Sequence, residues 1–235
     1  MDRDYAQLLL RKVRNDYQII ADQFSDTRSR EMYWPEFDEF RALIRPEDRI
    51  LDAGCGNGRI TKILDGVKVE YLGIDASSRL IENARKLFPR FRFEVGEVLH
   101  MPFPDGSFDC VFSIAVIHQI PSRELRLQAI REMHRVLKSP GRLFLTVWNL
   151  HTSRRWKIVW ANLRQGLGMS KLDHDDILVP WKRLGVDRYY HAFQERELRT
   201  LIEDGGFAVA RSWISGGVEH SHGRSDNFVV IARKE

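Results

Sequence analysis

Cysteine is nearly absent. Cys55 and Cys110 are the two in 235 residues, which gives neither a disulfide framework nor the paired spacing of a metal-ligating set. No uninterrupted apolar run reaches membrane-spanning length, and Met1-Asp2-Arg3-Asp4 lacks the shape of a secretory leader. The expectation is a cytoplasmic chain with no membrane contact, no disulfide partner and no metal. Internal repeats and low-complexity tracts are missing as well. The charge balance is mild, 37 Lys and Arg against 33 Asp and Glu for a net +4, so the chain as a whole is neither an acidic nor a uniformly basic polymer. Its length fits a single large α/β domain with a substantial core.

What the chain does have is a strand running straight into a glycine loop, Ile50-Leu51-Asp52-Ala53-Gly54-Cys55-Gly56-Asn57-Gly58-Arg59. Glycines at alternate positions allow tight turning and let a ligand lie against the backbone. A helix predicted from about Arg59, carrying Ile60, Ile63 and Leu64, would aim its free N–H groups at that loop. Asp52 puts a carboxylate where a pyrophosphate would lie, so a dinucleotide is disfavoured and a cationic cofactor favoured. A second strand, Val69 to Asp75, ends in an acid about 20 residues beyond the loop, the spacing at which such folds hydrogen-bond ribose hydroxyls. Ser77 is free to cap the helix that follows, which leaves Asp75 for the ribose.

Strands and helices then alternate. Phe91–Val95 and Phe108–Ile114 read as buried parallel strands, and Pro121-Ser122 opens a helix with Leu125, Ala129, Ile130, Met133 and Leu137 on one stripe. Pro140-Gly141 is expected to stop that helix before a fifth strand, Leu143–Trp148. A late helix near Glu195–Glu203 and strands at Phe207–Trp213 and Phe228–Ala232 close the sheet. The pattern predicts a doubly wound seven-stranded sheet with one antiparallel strand. Residues 1–45 read as a helical cap packed on the sheet, 46–148 as the cofactor-binding core, 149–190 as a substrate insert after strand five, and 191–235 as the closing helix and strands of one domain.

Positive charge gathers between Arg123 and Arg164, where Arg123, Arg126, Arg131, Arg135, Lys138, Arg142, Arg154, Arg155, Lys157 and Arg164 face only Glu124 and Glu132. Such a stretch attracts a polyanion such as RNA, and equally fits a solvated helix face. Trp156, Trp160, Trp181, Tyr189 and Tyr190 in the insert could stack on bases or pack on the core.

Asp52, the alternate glycines and Asp75 together resemble the S-adenosylmethionine site of class I methyltransferases. A narrower resemblance rests on the leader from Asn15 to Arg28 with Trp34-Pro35, on Ser113-Ile114-Ala115-Val116-Ile117-His118, on Asp176-Ile177-Leu178-Val179-Pro180-Trp181, on Arg188-Tyr189-Tyr190-His191 and on Asp226-Asn227-Phe228-Val229-Val230. These segments look like those of the tRNA wobble-uridine 5-carboxymethyl methyltransferases, which include the methyltransferase part of AlkB-type tRNA enzymes. Gln119 stands where that family usually has a second histidine, and Glu97 where it commonly has aspartate.

The resemblance implies S-adenosylmethionine as cofactor, S-adenosylhomocysteine as product, tRNA as partner and, in eukaryotic members, a small zinc-binding activator subunit. It places Tyr17 and Arg28 over the cofactor, with Arg28 reaching the methionine carboxylate. Asp52, Gly54, Cys55, Gly56 and Asn57 form the loop side, Asp75 and Ala76 the ribose side, Glu97 and Val98 the adenine side, and Ser113, Ile114 and Ala115 the methionine side. Arg28, His118, Arg188 and His191 are the candidates for positioning an acceptor carboxylate, which is already ionised and needs no general base. A small-molecule methyltransferase and a non-catalytic cofactor-binding scaffold are the alternatives.

Overall fold

Ile50 and Leu51 point to opposite faces of one strand, and both are completely buried. That requires helices on both sides of a sheet. The computed structural model describes residues 1–235 except 30–33, 182–183 and 221–222, and except the side chains of 28–29, 217–220 and 223–225. Along the chain lie α1 (Arg3–Ser29), α2 (Glu36–Leu43), β1 (Arg49–Ala53), β2 (Glu70–Asp75), α3 (Ser78–Leu87), β3 (Arg92–Val95), β4 (Phe108–Ile114), α4 (Arg123–Val136) and β5 (Leu137–Trp148). Then come α5 (Leu150–Gly166), β6 (Asp176–Trp181), β7 (Val186–His191), α6 (Glu195–Asp204), β8 (Ala208–His220) and β9 (Gly223–Lys234).

The main sheet has the order β3-β2-β1-β4-β5-β9-β8. Strands β1 to β5 are parallel, and β9 runs antiparallel to both of its neighbours. On one face Phe112 stacks on Phe144 at 4.7 Å, and Phe40 from α2 packs on both rings. On the other, Leu51, Val111, Leu143 and Leu145 meet Ile130 and Met133 of α4 and Leu201 of α6. Each such fully buried side chain contributes roughly 1.5–3 kcal/mol. Two helices start as their caps dictate: Ser77 accepts from the Leu80 N–H and Ser122 from the Leu125 N–H.

Four expectations need correction. The segment after the glycine loop, Arg59–Leu64, is a 3₁₀ helix rather than an α-helix. Strand β5 begins at Leu137, because that side chain is buried against Phe108 and the strand runs on through Pro140-Gly141, with Gly141 opposite Lys234. Strands β8 and β9 extend beyond their expected ends into one long hairpin. The leader does not lie flat on the sheet: α2 does, but α1 crosses the carboxyl ends of the strands. It is tied down by Gln18 to Ser77 and Ser78, by Asp22 to Arg79 and Asn83, and by an Arg14–Glu97 ion pair. Among the described residues no helix is long and apolar enough to cross a membrane.

The insert forms α5 and a separate two-stranded sheet, β6 with β7. A buried polar knot fastens it to the core. Asp176 accepts from Tyr189 Oη at 2.7 Å and from His191 Nδ1 at 2.8 Å, while His191 Nε2 meets Glu197 of α6 at 2.8 Å. Burial alone would lower the His191 pKa, but the two carboxylates outweigh it and raise it above the ordinary 6.5. Burial would raise Glu197, and His191 outweighs that too, holding it below 4.5. Glu197's contribution is therefore present above 4.5 and lost in acid, whereas that of His191 is present below 6.5 and lost as pH rises through its raised folded value. His191→Gln should lower Tm by several degrees at pH 6, since hydrogen bonds to charged groups are worth roughly 1.5–3 kcal/mol, and by clearly less at pH 9. Calorimetry giving the same loss at both pH values would rule out a charged His191.

Candidate active site

Where β1, β2 and β4 end, the glycine loop folds back on β2: the N–H groups of Gly54 and Cys55 both donate to the Ile74 carbonyl, at 2.8 and 2.9 Å. Gly54 and Gly58 sit at φ of +86° and +81°. Their missing side chains are needed for protein packing, because a Cβ would lie 2.5 Å from Val116 at the first position and 2.7 Å from Phe93 at the second. Only Gly56 keeps open space in front of it, its Cβ meeting nothing closer than Phe24 at 3.6 Å. The close ligand approach expected of the whole loop thus belongs to its middle glycine.

Asp75 accepts from the Gly56 N–H and the Ser77 N–H, both at 2.9 Å. One lone pair on each oxygen is used, and a second on each is left for vicinal hydroxyls. Asp52 lies beneath the loop, 2% exposed, with the Tyr71 hydroxyl donating to it at 2.8 Å. Gly73 makes that contact possible, since a Cβ there would stand 2.9 Å from the Tyr71 oxygen. Burial lifts the Asp52 pKa from 3.8 to about 7, against the opposing pull of Tyr71 and Arg59.

These groups face an open cavity under α1. Tyr17, Asp52, Gly54, Cys55, Gly56, Asn57, Asp75, Ala76, Glu97, Val98, Ile114 and Ala115 all line it. Glu97 brings a carboxylate already paired with Arg14. Ala115 takes a left-handed φ of +60°, a strained value for a residue with a Cβ, and its carbonyl accepts from Gln119 Nε2. Gln119 therefore secures the turn leading to His118. The shape and charge fit an adenosyl cation: a hydroxyl-binding acid, a buried acid, an apolar aromatic lid and an open glycine. Ser113 is placed otherwise, fully enclosed in β4 with Oγ unpartnered among the described residues, because strand alternation turns Ile114 to the cavity instead. The side chain of Arg28, in the last turns of α1, lies outside the described residues. Both cysteines are buried and free, and burial pushes both thiols up. Among the described residues no cluster of His, Cys, Asp or Glu could hold a metal ion.

Behind Trp148, which lines the cavity, lies a closely packed cluster of aromatic and basic side chains. His118 is fully buried between Trp148, 5.1 Å away, and Tyr190, 5.4 Å away. Neither ring nitrogen has a hydrogen-bond partner among the described residues. Burial first, then the nearby His191 and Arg188, lower its pKa to about 3, so the ring is neutral. The Arg188 guanidinium packs 4.5 Å from the Trp181 ring and 5.2 Å from Tyr190, with Nε and Nη1 buried and unpartnered among the described residues. His191 was grouped with these two from sequence. Both its nitrogens are held by carboxylates, so it fastens the insert and has no nitrogen left for an acceptor.

Sequence reasoning missed Tyr71, Arg14 and Trp148. Strand pairing carried a signal for Tyr71, which sits opposite Ile50 two residues before Gly73 on the same face.

Residues 51–145 match a methyltransferase domain. Over 94% of its length the chain is 31% identical to the tRNA (carboxymethyluridine(34)-5-O)-methyltransferase of Schizosaccharomyces pombe, covering 96% of that protein. It is 34% identical over 78% of its length to a human protein named Probable tRNA methyltransferase 9B, of which it spans only 36%. A SAM-dependent methyltransferase from Methanosarcina mazei has the same fold, with a TM-score of 0.73 at 25% identity over 87% of this chain and 99% of that one. So has a Haloferax volcanii methyltransferase solved in complex with the Trm112 methyltransferase activator, with a TM-score of 0.68 at 18% identity over 94% and 96%.

The buried acid generates a test. Asp52 is easier to protonate in the fold than in the open chain, so its acid form stabilises the protein at low pH, and that contribution is lost as pH rises through about 7. A cationic ligand favours the ionised form instead. Titration calorimetry should show S-adenosylmethionine binding that tightens by up to about tenfold per pH unit below 7 and levels off above it. Asp52→Asn should weaken binding, erase this dependence and raise Tm at pH 8. Asp75→Ala should cost roughly 1.5–3 kcal/mol, about 10- to 150-fold in affinity, with the fold intact. A wild type whose affinity is flat from pH 6 to 8 would refute the role given to Asp52.

Proposed function

This chain belongs to the family of tRNA (carboxymethyluridine(34)-5-O)-methyltransferases, and on that premise we propose that it methylates the carboxylate of a carboxymethyl group on a wobble uridine of tRNA. It is an S-adenosylmethionine-dependent methyltransferase. The observation that carries the acceptor assignment is the cluster behind Trp148, where two buried donors of Arg188 and both nitrogens of a neutral His118 have no protein partner among the described residues. A buried guanidinium packed against aromatic rings offers unpartnered N–H donors to an anion, and its positive charge offsets the cost of burying a carboxylate. A neutral imidazole can add one more donor without withdrawing further charge from the nucleophile.

The cofactor supplies a methyl already activated on sulfonium. The remaining work falls to residues of the chain. Asp75 would accept from the ribose hydroxyls, Glu97 from the adenine amine, and Tyr17 and Arg28 would close over the methionine end. The Ile114–Ala115 turn would set the line of approach, and Trp148 would separate methyl donor from acceptor until they are aligned. Orientation of this kind can supply roughly 7–11 kcal/mol. No proton leaves the acceptor, so no base has to titrate. An activator subunit of the sort that accompanies the Haloferax methyltransferase, small and zinc-binding in the eukaryotic members, and a cytoplasmic site of action complete the proposal.

Kinetics separate this reaction from methylation of a hydroxyl or amine. At saturating cofactor, single-turnover methyl transfer should be flat with pH across the histidine range, and His118→Asn, which keeps a donor, should retain more activity than His118→Ala. Arg188→Ala should lower kcat/KM by on the order of 100-fold. A histidine-like pH limb in the wild type that disappears in His118→Asn would mean that the acceptor needs deprotonation, and a small-molecule or amine substrate would replace the carboxylate.

A further inference from the structure

Folding removes half of the ten cations of the basic stretch from the free surface. Arg123 pairs with Asp204, Arg135 with Glu132 and Asp105, Lys138 with Asp109, Arg142 with Asp48, and Arg126 is buried. Arg131 of α4 stays exposed, and helix α5 keeps the rest. Leu150–Gly166 contains four basic residues, Arg154, Arg155, Lys157 and Arg164, and no acidic one. Arg155, Lys157 and Arg164 are exposed, and their side chains make no ion pair or hydrogen bond to other described residues.

The same helix leaves large apolar side chains in water. Trp156 is 77% exposed, Trp160 63%, Leu163 50% and Leu167, just past its end, 65%. Their spacing of four, three and four residues makes one continuous stripe along the helix. The face α5 buries is narrow, Leu150 and Ile158 with Asn162 bonded to Asp175, so the stripe is not the helix's packing surface. Alone, a tryptophan on a surface means little. Two tryptophans one turn apart, flanked by unpaired cations on a helix without acids, form a surface complementary to a strand of stacked bases and phosphates.

Position favours the same occupant. Helix α5 starts at the residue after Asn149, immediately beyond Trp148, the side chain that lines the cofactor cavity and packs at a tilt on His118. From Trp156 to Leu167 the stripe runs about 17 Å at 1.5 Å per residue, the length of a few extended nucleotides. A base drawn to the acceptor cluster would carry its neighbours directly onto this helix.

We propose that the exposed face of α5 is a docking surface for the single-stranded loop that carries the acceptor base, with Trp156 and Trp160 stacking on flanking bases and Arg155, Lys157 and Arg164 holding their phosphates. The proposal rests on the tRNA reading above and gives it a binding surface outside that cluster. Two variants of the full chain test it, Trp156→Ala with Trp160→Ala, and Arg155→Ala with Lys157→Ala and Arg164→Ala. The probe is a fluorescein-labelled anticodon stem-loop RNA. The tryptophan variant should weaken RNA binding by about tenfold or more. The basic variant should reduce the slope of log K against log salt by about 2–3 units. S-adenosylhomocysteine affinity and far-UV circular dichroism should not change, and for tRNA methylation KM should rise far more than kcat falls.

Variants that bind RNA and methylate tRNA like the wild type would overturn the docking surface and leave the functional reading in place. A wild type that binds the stem-loop through α5 but methylates no tRNA would do the reverse. Loss of binding to anionic lipid vesicles, or of self-association, in these variants with RNA binding untouched would also overturn the proposal.

Discussion

A carboxylate held out of water organises this molecule. Asp52 lies at the end of the central strand beneath the glycine loop, and among the described residues the one hydrogen bond to its carboxylate comes from Tyr71. Keeping it there imposes much of the local sequence. Gly73 must leave room for the tyrosine hydroxyl, and Tyr71 must sit on the neighbouring strand in parallel register. The acid costs stability as it ionises and repays it when a cation arrives. The same strand ends put Asp75 beside it with its backbone bonds already made, so little reorganisation is left for the moment of binding.

The cluster proposed to receive the acceptor follows the opposite electrostatic logic. Its free donors belong to a guanidinium and a neutral imidazole, enclosed by Trp148, Trp181 and Tyr190. Acid on one side and base on the other, with one tryptophan between them, is the arrangement that the proposed reaction of a cationic donor with an anionic acceptor would use.

What could be read from the chain was whatever depends on neighbours in sequence. Strand β4, the serine caps at Ser77 and Ser122, and the glycine loop with its two acids all announce themselves through alternation, side-chain chemistry or spacing. The features that escaped depend on distant partners. Leu137 became strand rather than helix because Phe108 lies opposite it. The leader crossed the cavity mouth instead of the sheet because its ties to Ser77, Arg79 and Asn83 are polar and on α3. His191 and Arg188 stand three residues apart in one motif, yet one is saturated by carboxylates and the other is not, a difference set by Asp176 and Glu197 from other elements. Which cations of the basic stretch stay free was likewise set from afar, by Asp48, Asp105, Asp109 and Asp204.

The space that Gly54 leaves empty is filled by Val116, one residue beyond the strained Ala115 and two before His118. The glycine loop and the turn leading to His118 therefore share a single volume. Neither can drift in sequence alone: a side chain gained at position 54 is a displacement of that turn, and a larger residue at 116 is a displacement of the glycine loop. Substitutions at 54 and 116 are thereby coupled: each is tolerated only with a matching change at the other.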